Sequence, residues 1–310
     1  MTNILVTGGT GFLGSRIVSK LENEADTNVY VASKSTGVDI LDYEKFKHFV
    51  LERSVDAVVH CAALSGGIAI NYDRPVDMIY VNTMIGLNVV KACNEVGIKK
   101  MISVLPNCVY PGGLDEYEES KFWDGAMHES VVTVGIPRKT MWGLCFAYCR
   151  QDPTFRPMHL IFPNMYGPSD HFDPIVSHAL GALIAKIIDA KRTKKKSIEI
   201  WGTGKPIREW LYVDDGAEAV TQCLKSYDKF IPNDIMNVGI GKGISIKDTA
   251  LLIKDIVKWD GEFVYDLSKP DGSFKKILNC EKMRSLIEWE PTTSFESGVR
   301  QTIQWYESNL

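Results

Sequence analysis

The chain is poor in the features that would mark a membrane, secreted or nucleic-acid-binding protein. No apolar run is long enough to span a bilayer. Charge of one sign does not dominate: 35 Lys and Arg against 39 Asp and Glu leave a net charge of −4. That balance excludes general attraction to nucleic acid or an anionic membrane surface. The one basic block, Lys191 to Lys196, follows a helical pattern and reads as a solvated helix end. The seven cysteines (61, 93, 108, 145, 149, 223 and 280) are odd in number, and no pair has metal-ligand or redox spacing. They imply reduced thiols, no disulfide framework and no metal site, and so a cytoplasmic protein. The first residues run straight into an apolar strand, without the basic region of a signal peptide. Internal repeats, low-complexity linkers and a clean domain boundary are also lacking.

What is there begins at residue 3. Ile4, Leu5 and Val6 read as a buried strand, and Ile17, Val18 and Leu21 as the apolar face of a helix. Between them lie Gly8, Gly11 and Gly14. In a strand–turn–helix context the first glycine permits a tight turn, and the second lets a pyrophosphate approach the backbone. The third lets helix and strand pack closely. The helix N-terminus then offers free N–H groups to the phosphates.

The pattern repeats along the chain. Val29-Tyr-Val-Ala32 is a strand followed by Ser33 and Lys34, where a dinucleotide fold often has an acidic residue for the ribose 2′-hydroxyl. Lys34 suits a 2′-phosphate, so the residues leave NAD and NADP open. Asp39 suits either an adenine contact or a helix cap. Asp56 to Ala63 is a buried strand ending in small residues, and Asp77 to Val96 a long helix carrying Asn82. Lys100 to Leu105 is a strand, Thr140 to Tyr148 is helical, and Met158 to Phe162 is a strand. This alternation predicts an α/β fold, a Rossmann-type doubly wound parallel sheet with a smaller, interleaved α/β substrate lobe. We assign residues 1–163 with about 213–242 to the dinucleotide-binding domain, and about 164–212 with about 243–310 to the lobe.

Several blocks occur in a characteristic order: Thr7-Gly-Gly-Thr-Gly-Phe-Leu-Gly14, His60-Cys-Ala-Ala63, Asn82, Pro163-Asn-Met-Tyr-Gly167 and Trp201 to Asp215. Together they resemble the extended short-chain dehydrogenase/reductase family acting on nucleotide sugars. Gly66-Gly67, Asn107-Cys-Val-Tyr-Pro111, Ser177-His178 and Lys269-Pro-Asp-Gly272 with Lys275-Lys276 resemble its GDP-fucose synthase branch. Among relatives the chain is similar to the GDP-manno-heptose C4 dehydrogenases of bacterial capsule pathways. The resemblance implies NAD held by Gly8, Gly11, Phe12, Leu13, Gly14, Asp39, Ile40, Cys61, Ala62, Ala63, Asn82 and Arg138. It implies a GDP-sugar held by Asn107, Asn164, His178, Trp201, Arg208 and Lys276, and a homo-oligomer. A planar guanidinium at Arg208 suits paired phosphate oxygens. Core packing is the competing role for Trp201.

The chain departs from this family at its chemistry. The family has a catalytic serine before the Pro111 turn, where Pro106 and Asn107 stand here. Its Tyr-x-x-x-Lys, counted back from Leu144 to Arg150, falls on Val134-Gly-Ile-Pro-Arg138 or, shifted by one, on Gly135 and Lys139. Neither register supplies a tyrosine. Arg138 or Lys139 remains for the nicotinamide ribose, and Cys108 and His178 match the proton-moving residues of the epimerising branch. Three functions follow as expectations. The first is slow NAD-dependent oxidation of a GDP-manno-sugar, a heptose at C4, to a 4-keto sugar. The others are C3/C5 epimerisation through Cys108 and His178, and a non-catalytic ligand-binding partner of an active homologue.

Overall fold

The computed structural model describes residues 1–66, 68–173, 177–269 and 271–310. Gly67 and Pro270, named in the motifs above, lie outside the described residues. In chain order the elements are β1 (Thr2–Thr7), α1 (Phe12–Glu22), β2 (Thr27–Ala32), α2 (Tyr43–Glu52), β3 (Ala57–His60), α3 (Ile68–Asp73), α4 (Pro75–Val96), β4 (Lys100–Pro106), α5 (Val132–Gln151) and β5 (Arg156–Phe162). Then come β6 (Asn164–Tyr166), α6 (Ala179–Arg192), β7 (Ser197–Trp201), β8 (Ile207–Arg208), β9 (Trp210–Tyr212), α7 (Val213–Lys225) and β10 (Asp234–Asn237). The chain closes with β11 (Ile244–Ser245), α8 (Ile246–Val257), β12 (Glu262–Asp266), β13 (Lys275–Lys276), α9 (Glu281–Ile287) and α10 (Phe295–Ser308).

Six strands form one parallel sheet in the order β10-β5-β4-β3-β1-β2. They are apolar runs because a parallel sheet is covered on both faces; Ala57 to His60 of β3 are buried throughout. The chain leaves β1 toward β2 on one side and returns to β3 on the other, so the strand order reverses between β1 and β3. In open parallel sheets that reversal opens a crevice at the carboxyl ends of the strands. The Rossmann-like architecture is therefore as the sequence suggests.

The core is in two parts. The larger contains the six-stranded sheet with Ile17, Val89, Cys145, Val220 and Met283. The smaller gathers Ile184, Trp210, Tyr212, Ile253 and Ile303 from α6, β9, α8 and α10, with Trp259 just after α8. Leu278, Cys280, Met283, Ile287 and Trp289, which our reading of the sequence placed with the smaller lobe, pack on the larger core.

One expected element is split. Ile207 to Tyr212 reads as a single strand, but β8 pairs with β11 and β13, whereas β9 pairs with β6. The residue between them, Glu209, is fully buried. Its Oε1 accepts from the backbone N–H of Ile240 (2.5 Å) and Gly241 (2.9 Å), and its Oε2 from Leu278 (2.8 Å). The chain changes sheets where this carboxylate turns inward. Helix α5 also starts eight residues before the helical stretch read from Thr140, because Val132 to Lys139 are helical too.

Candidate active site

The glycine turn is built as its spacing implies. Gly8 has φ +69, and a Cβ there would lie 2.8 Å from the Ala62 backbone, so β1 and β3 meet at their carboxyl ends. A Cβ on Gly14 would lie 2.1 Å from the Gly8 carbonyl oxygen, which seats α1 on the turn. Gly11 differs: a Cβ would meet only that oxygen, at 3.2 Å, and otherwise faces open space. Gly11 is the N-cap of α1 and no side chain caps it, so the N–H groups beside Phe12 and Leu13 are left for a ligand. The residues present fit a dinucleotide pyrophosphate.

The crevice walls are tied together by polar side chains. Thr7 Oγ1 and His60 Nδ1 share a 2.7 Å hydrogen bond, and the Ala62 N–H donates to Thr7 Oγ1 at 3.3 Å. Burial, with the nearby Arg138 charge and His159, pushes His60 down to about 3, so it is neutral. Asn82 grips the loop after β3: its Oδ1 accepts from the Leu64 N–H (2.8 Å), and its Nδ2 donates to the carbonyls of Leu64 and Met78. These three hydrogen bonds of Asn82 are all to backbone, which makes it a positioning residue for Cys61, Ala62 and Ala63. Burial raises the Cys61 thiol to about 12.

At the end of β2, Thr10 Oγ1 and Ser35 Oγ lie 2.9 Å apart, and the Thr10 N–H donates to Ser33 Oγ at 3.4 Å. Asp39 accepts from the Leu41 N–H and lies 3.5 Å from the Lys34 ammonium. Ile40 is buried, and its carbonyl accepts from Asn88.

The chemistry would sit at the end of β4. Asn107, Cys108 and Val109 form a 3-10 turn. Helix α5 lies on it, since a Cβ on Gly135 would be 2.9 Å from the Cys108 carbonyl. Arg138, one helical turn along, is buried on the same helix face, while Lys139 turns away. Lys139 donates to the Phe122 carbonyl and lies over the Phe122 and Trp123 rings, 4.7 and 4.4 Å from their centroids. Of the two registers, the structure brings Arg138 to the crevice. Nearby tyrosines do not replace the missing one. Tyr110 donates to Asn237 Oδ1 at 2.7 Å, stacks on Tyr117 and is pushed far up by burial. Burial raises Tyr117 as well.

On the lobe side, Arg208 and Lys276 are paired in register on β8 and β13, which puts both cations on one face. The Arg208 guanidinium donates to the carbonyls of Ile207 (2.9 Å) and Asp271 (3.4 Å). Burial lowers its pKa, while Tyr117 and Cys108 are close enough to act on it. The Arg208 charge is therefore within electrostatic range of the turn after β4. Asp271 accepts from the N–H and hydroxyl of Thr203 (2.6 and 2.7 Å), tying the turn after Trp201 to the loop before Lys276. Trp201 is 54% exposed, so core packing is not its role. Lys269 and Lys186 lie 5.4 and 5.9 Å from its ring centroid. Asn164 Nδ2 donates to the Glu209 carbonyl (3.4 Å), and His178 is an exposed N-cap of α6. Among the described residues no group of acidic, His and Cys side chains could hold a metal ion. No helix among them is long and apolar enough to cross a membrane.

Sequence reasoning passed over Glu209 and Asn237, which hold the site together. Asn237 Nδ2 donates to the carbonyls of Tyr117 and Asn279 while its Oδ1 takes the Tyr110 hydroxyl. Glu209 had a signal, since it sits beside Arg208 in an otherwise strand-like run; Asn237 had none.

A Rossmann-like sheet with a glycine turn and a cationic lobe-side clamp defines a nucleotide-sugar-modifying class, and the chain belongs to the NAD dependent epimerase/dehydratase family, whose model matches residues 4–239. It is 32% identical to GDP-L-fucose synthase 1 of Arabidopsis thaliana, over 99% of this chain and 94% of that one. It is 30% identical to GDP-L-fucose synthase of Escherichia coli K12, over 99% and 97%. Among solved structures it is similar to a GDP-6-OMe-4-keto-L-xylo-heptose reductase from C. jejuni, with a TM-score of 0.91, 26% identity, and 100% and 98% coverage. It is also similar to a GDP-mannoheptose C4 reductase from Campylobacter jejuni with NADP bound, with a TM-score of 0.87, 26% identity, and 99% and 98% coverage.

These relatives correct the expected function. The sequence reading of a C4 dehydrogenase that oxidises a GDP-manno-sugar with NAD does not hold. Its relatives are GDP-L-fucose synthases and C4 reductases, one of them holding NADP. The physical reason for the error is that the site's binding groups are the same in either direction, and only the oxidation state of sugar and cofactor differs.

Proposed function

We propose that the protein is a reductase that binds NADP(H) and a GDP-linked 4-keto sugar. The direction rests on the likeness to GDP-L-fucose synthases and GDP-heptose reductases, and the observation that supports one shared site is the convergence of two binding regions on one turn. The cofactor crevice reaches the Asn107–Cys108 turn through Arg138 on α5, and the phosphate clamp reaches it through Arg208. In this reading Gly8, Gly11, Phe12, Leu13 and Gly14 hold the pyrophosphate, and Ile40 and Cys61 to Ala63 line the rest of the cofactor. Arg208 and Lys276 hold the sugar's diphosphate, Trp201 stacks on the guanine, and Asn164, Cys108 and His178 face the sugar. A nicotinamide bound here would supply a hydride to the C4 carbonyl carbon.

The preference for NADP(H) over the NAD implied by resemblance rests on the hydroxyls of Thr10, Ser33 and Ser35 at the end of β2. They can donate to a 2′-phosphate, and no carboxylate follows β2 directly to accept from a 2′-hydroxyl. The protein would work in the cytoplasm as a homo-oligomer. The test is titration of the protein with NADPH and NADH, followed by fluorescence, then with GDP. Tighter binding of NADPH, and GDP binding lost in Arg208→Met, are expected. Tighter binding of NADH, or no effect of Arg208→Met, would overturn the assignment.

A further inference from the structure

We propose that the side-chain amide of Asn107 and the guanidinium of Arg138 form a two-donor cradle for the carbonyl oxygen of the substrate. Asn107 stands where the family's serine is expected, and Arg138 at the lysine of its Tyr-x-x-x-Lys, one helical turn after the missing tyrosine. The inference rests on the reductase reading above and assigns the groups that act on the reacting oxygen.

Two orphaned donors carry it. Asn107 is 4% exposed, and its Nδ2 has no partner among the described residues, while its Oδ1 is turned toward Cys108 Sγ at 3.9 Å. Arg138 is 7% exposed, its Nε has no partner, and no carboxylate among the described residues pairs with it. An unsatisfied buried amide is destabilising, and a buried cation without a counter-ion more so. Two such groups at one edge of the sheet are accounted for when a ligand satisfies both.

The backbone puts them at the same edge of the sheet. Asn107 opens the turn directly after β4. Helix α5 rests on that turn at Gly135, and Arg138 follows by three residues on the same buried face, with Met141 and Cys145. From the other side, His60 is held neutral by burial first and then by the Arg138 charge, and it ends β3, the strand next to β4. Both donors therefore stand at the carboxyl edge of β3 and β4, where the open sheet binds its ligands. Neighbouring polar groups among the described residues have partners: His60 Nδ1 bonds Thr7, Ser103 bonds His159, and Tyr110 bonds Asn237.

The step balances without a protein acid. As the C4 carbon gains a hydride, the carbonyl π pair moves onto oxygen, and the Asn107 and Arg138 N–H groups hold the negative charge. Water then donates the proton that completes the hydroxyl. Arg138 keeps its own proton, because burial lowers its pKa only to about 10. Donors fixed in advance where charge develops are the largest single contribution in many enzymes. The missing acid makes the reaction slow by a factor of about 10²–10⁴ without abolishing it.

The test uses GDP-4-keto-6-deoxymannose labelled with carbon-13 at C4, bound to the protein with oxidised NADP, and isotope-edited infrared spectroscopy. The wild-type protein is expected to move the carbonyl band to lower frequency than in solution. Asn107→Leu is expected to return it toward the solution value. Single-turnover oxidation of NADPH should fall by about 10²–10³-fold in Asn107→Leu, the loss seen when one such donor is removed, with affinities for GDP and NADPH unchanged. Arg138→Lys, which keeps the charge but not the planar fork, is the second variant should Asn107→Leu fail to fold, and should also raise the band. A band equal in wild type and both variants would overturn the cradle, even if the wild type turns over. A shifted band in a wild type that never oxidises NADPH would leave the cradle standing and overturn the reductase reading. No bound ketone band at all would overturn both.

Discussion

Replacing Glu209 is expected to cost more stability than any other single polar change in the lobe. Its carboxylate is fully buried and accepts three backbone N–H groups from two loops, residues 240–241 and residue 278. Each buried donor left unsatisfied costs about 1–3 kcal/mol. Glu209→Ala strips all three, so a loss of at least about 3 kcal/mol is expected, with water entering the cavity keeping it near the lower end. Glu209→Gln separates the contributions. Its remaining carbonyl oxygen can serve Ile240 and Gly241, but its amide then points a donor at the Leu278 N–H, so about 1–3 kcal/mol is expected. Because Glu209 follows Arg208, both variants should also weaken GDP binding. Urea unfolding, read as a midpoint at constant slope, measures the first effect, and a GDP titration the second. A Glu209→Ala protein within about 1 kcal/mol of wild type would refute the reasoning, because it would mean that the three donors are satisfied without the carboxylate.

Other outcomes follow from the same structure. Gly14→Ala forces a Cβ to 2.1 Å from the Gly8 carbonyl oxygen, and should abolish detectable NADPH binding in a fluorescence titration while leaving GDP binding intact. Asn82→Ala releases the loop after β3 and should weaken NADPH binding by about tenfold or more, the equivalent of one lost buried hydrogen-bond group. Asp170 is buried, and that burial raises its carboxyl from 3.8 to about 7, against one backbone hydrogen bond from His171. A folded-state pKa above the unfolded value contributes stability that is full below about pH 4 and lost as pH rises toward 7. At about 1.4 kcal/mol per unit the change is up to about 4 kcal/mol. Thermal unfolding of wild type against Asp170→Asn between pH 5 and 8 should show it, and parallel curves would contradict it. Val134→Tyr alone should raise NADPH turnover little, because no serine stands at the end of β4; a gain of a hundredfold would refute that.

Much of this was legible in the residues. The apolar runs of β1, β3, β4 and β5 are continuous because their sheet is covered on both faces, and Gly8 and Gly14 announce the close approach of α1 to β1. Arg208 was legible within a long block, and the exposure of Trp201 then removed core packing as its role. The lobe boundary was harder. Residues 278–289 pack on the larger core through long-range contacts that no local pattern encodes. The Ile207 to Tyr212 run looks like one strand because periodicity does not register a chain that changes sheets around one buried carboxylate. The register of α5 also needed the structure: Arg138 and Lys139 are neighbours, and only the packing of Gly135 on Cys108 decides which one faces the crevice. The direction of reaction lay beyond residue patterns, since the groups that hold cofactor and sugar serve oxidation and reduction alike.

The most direct test of the account is to mix the wild-type protein with NADPH and GDP-4-keto-6-deoxymannose or a GDP-4-keto-heptose. Absorbance of the reduced nicotinamide is then followed under conditions in which both ligands are shown to bind. NADPH is expected to be consumed in step with formation of a 4-hydroxy sugar, slowly, and faster than NADH. Both ligands bound with no consumption over hours would contradict it.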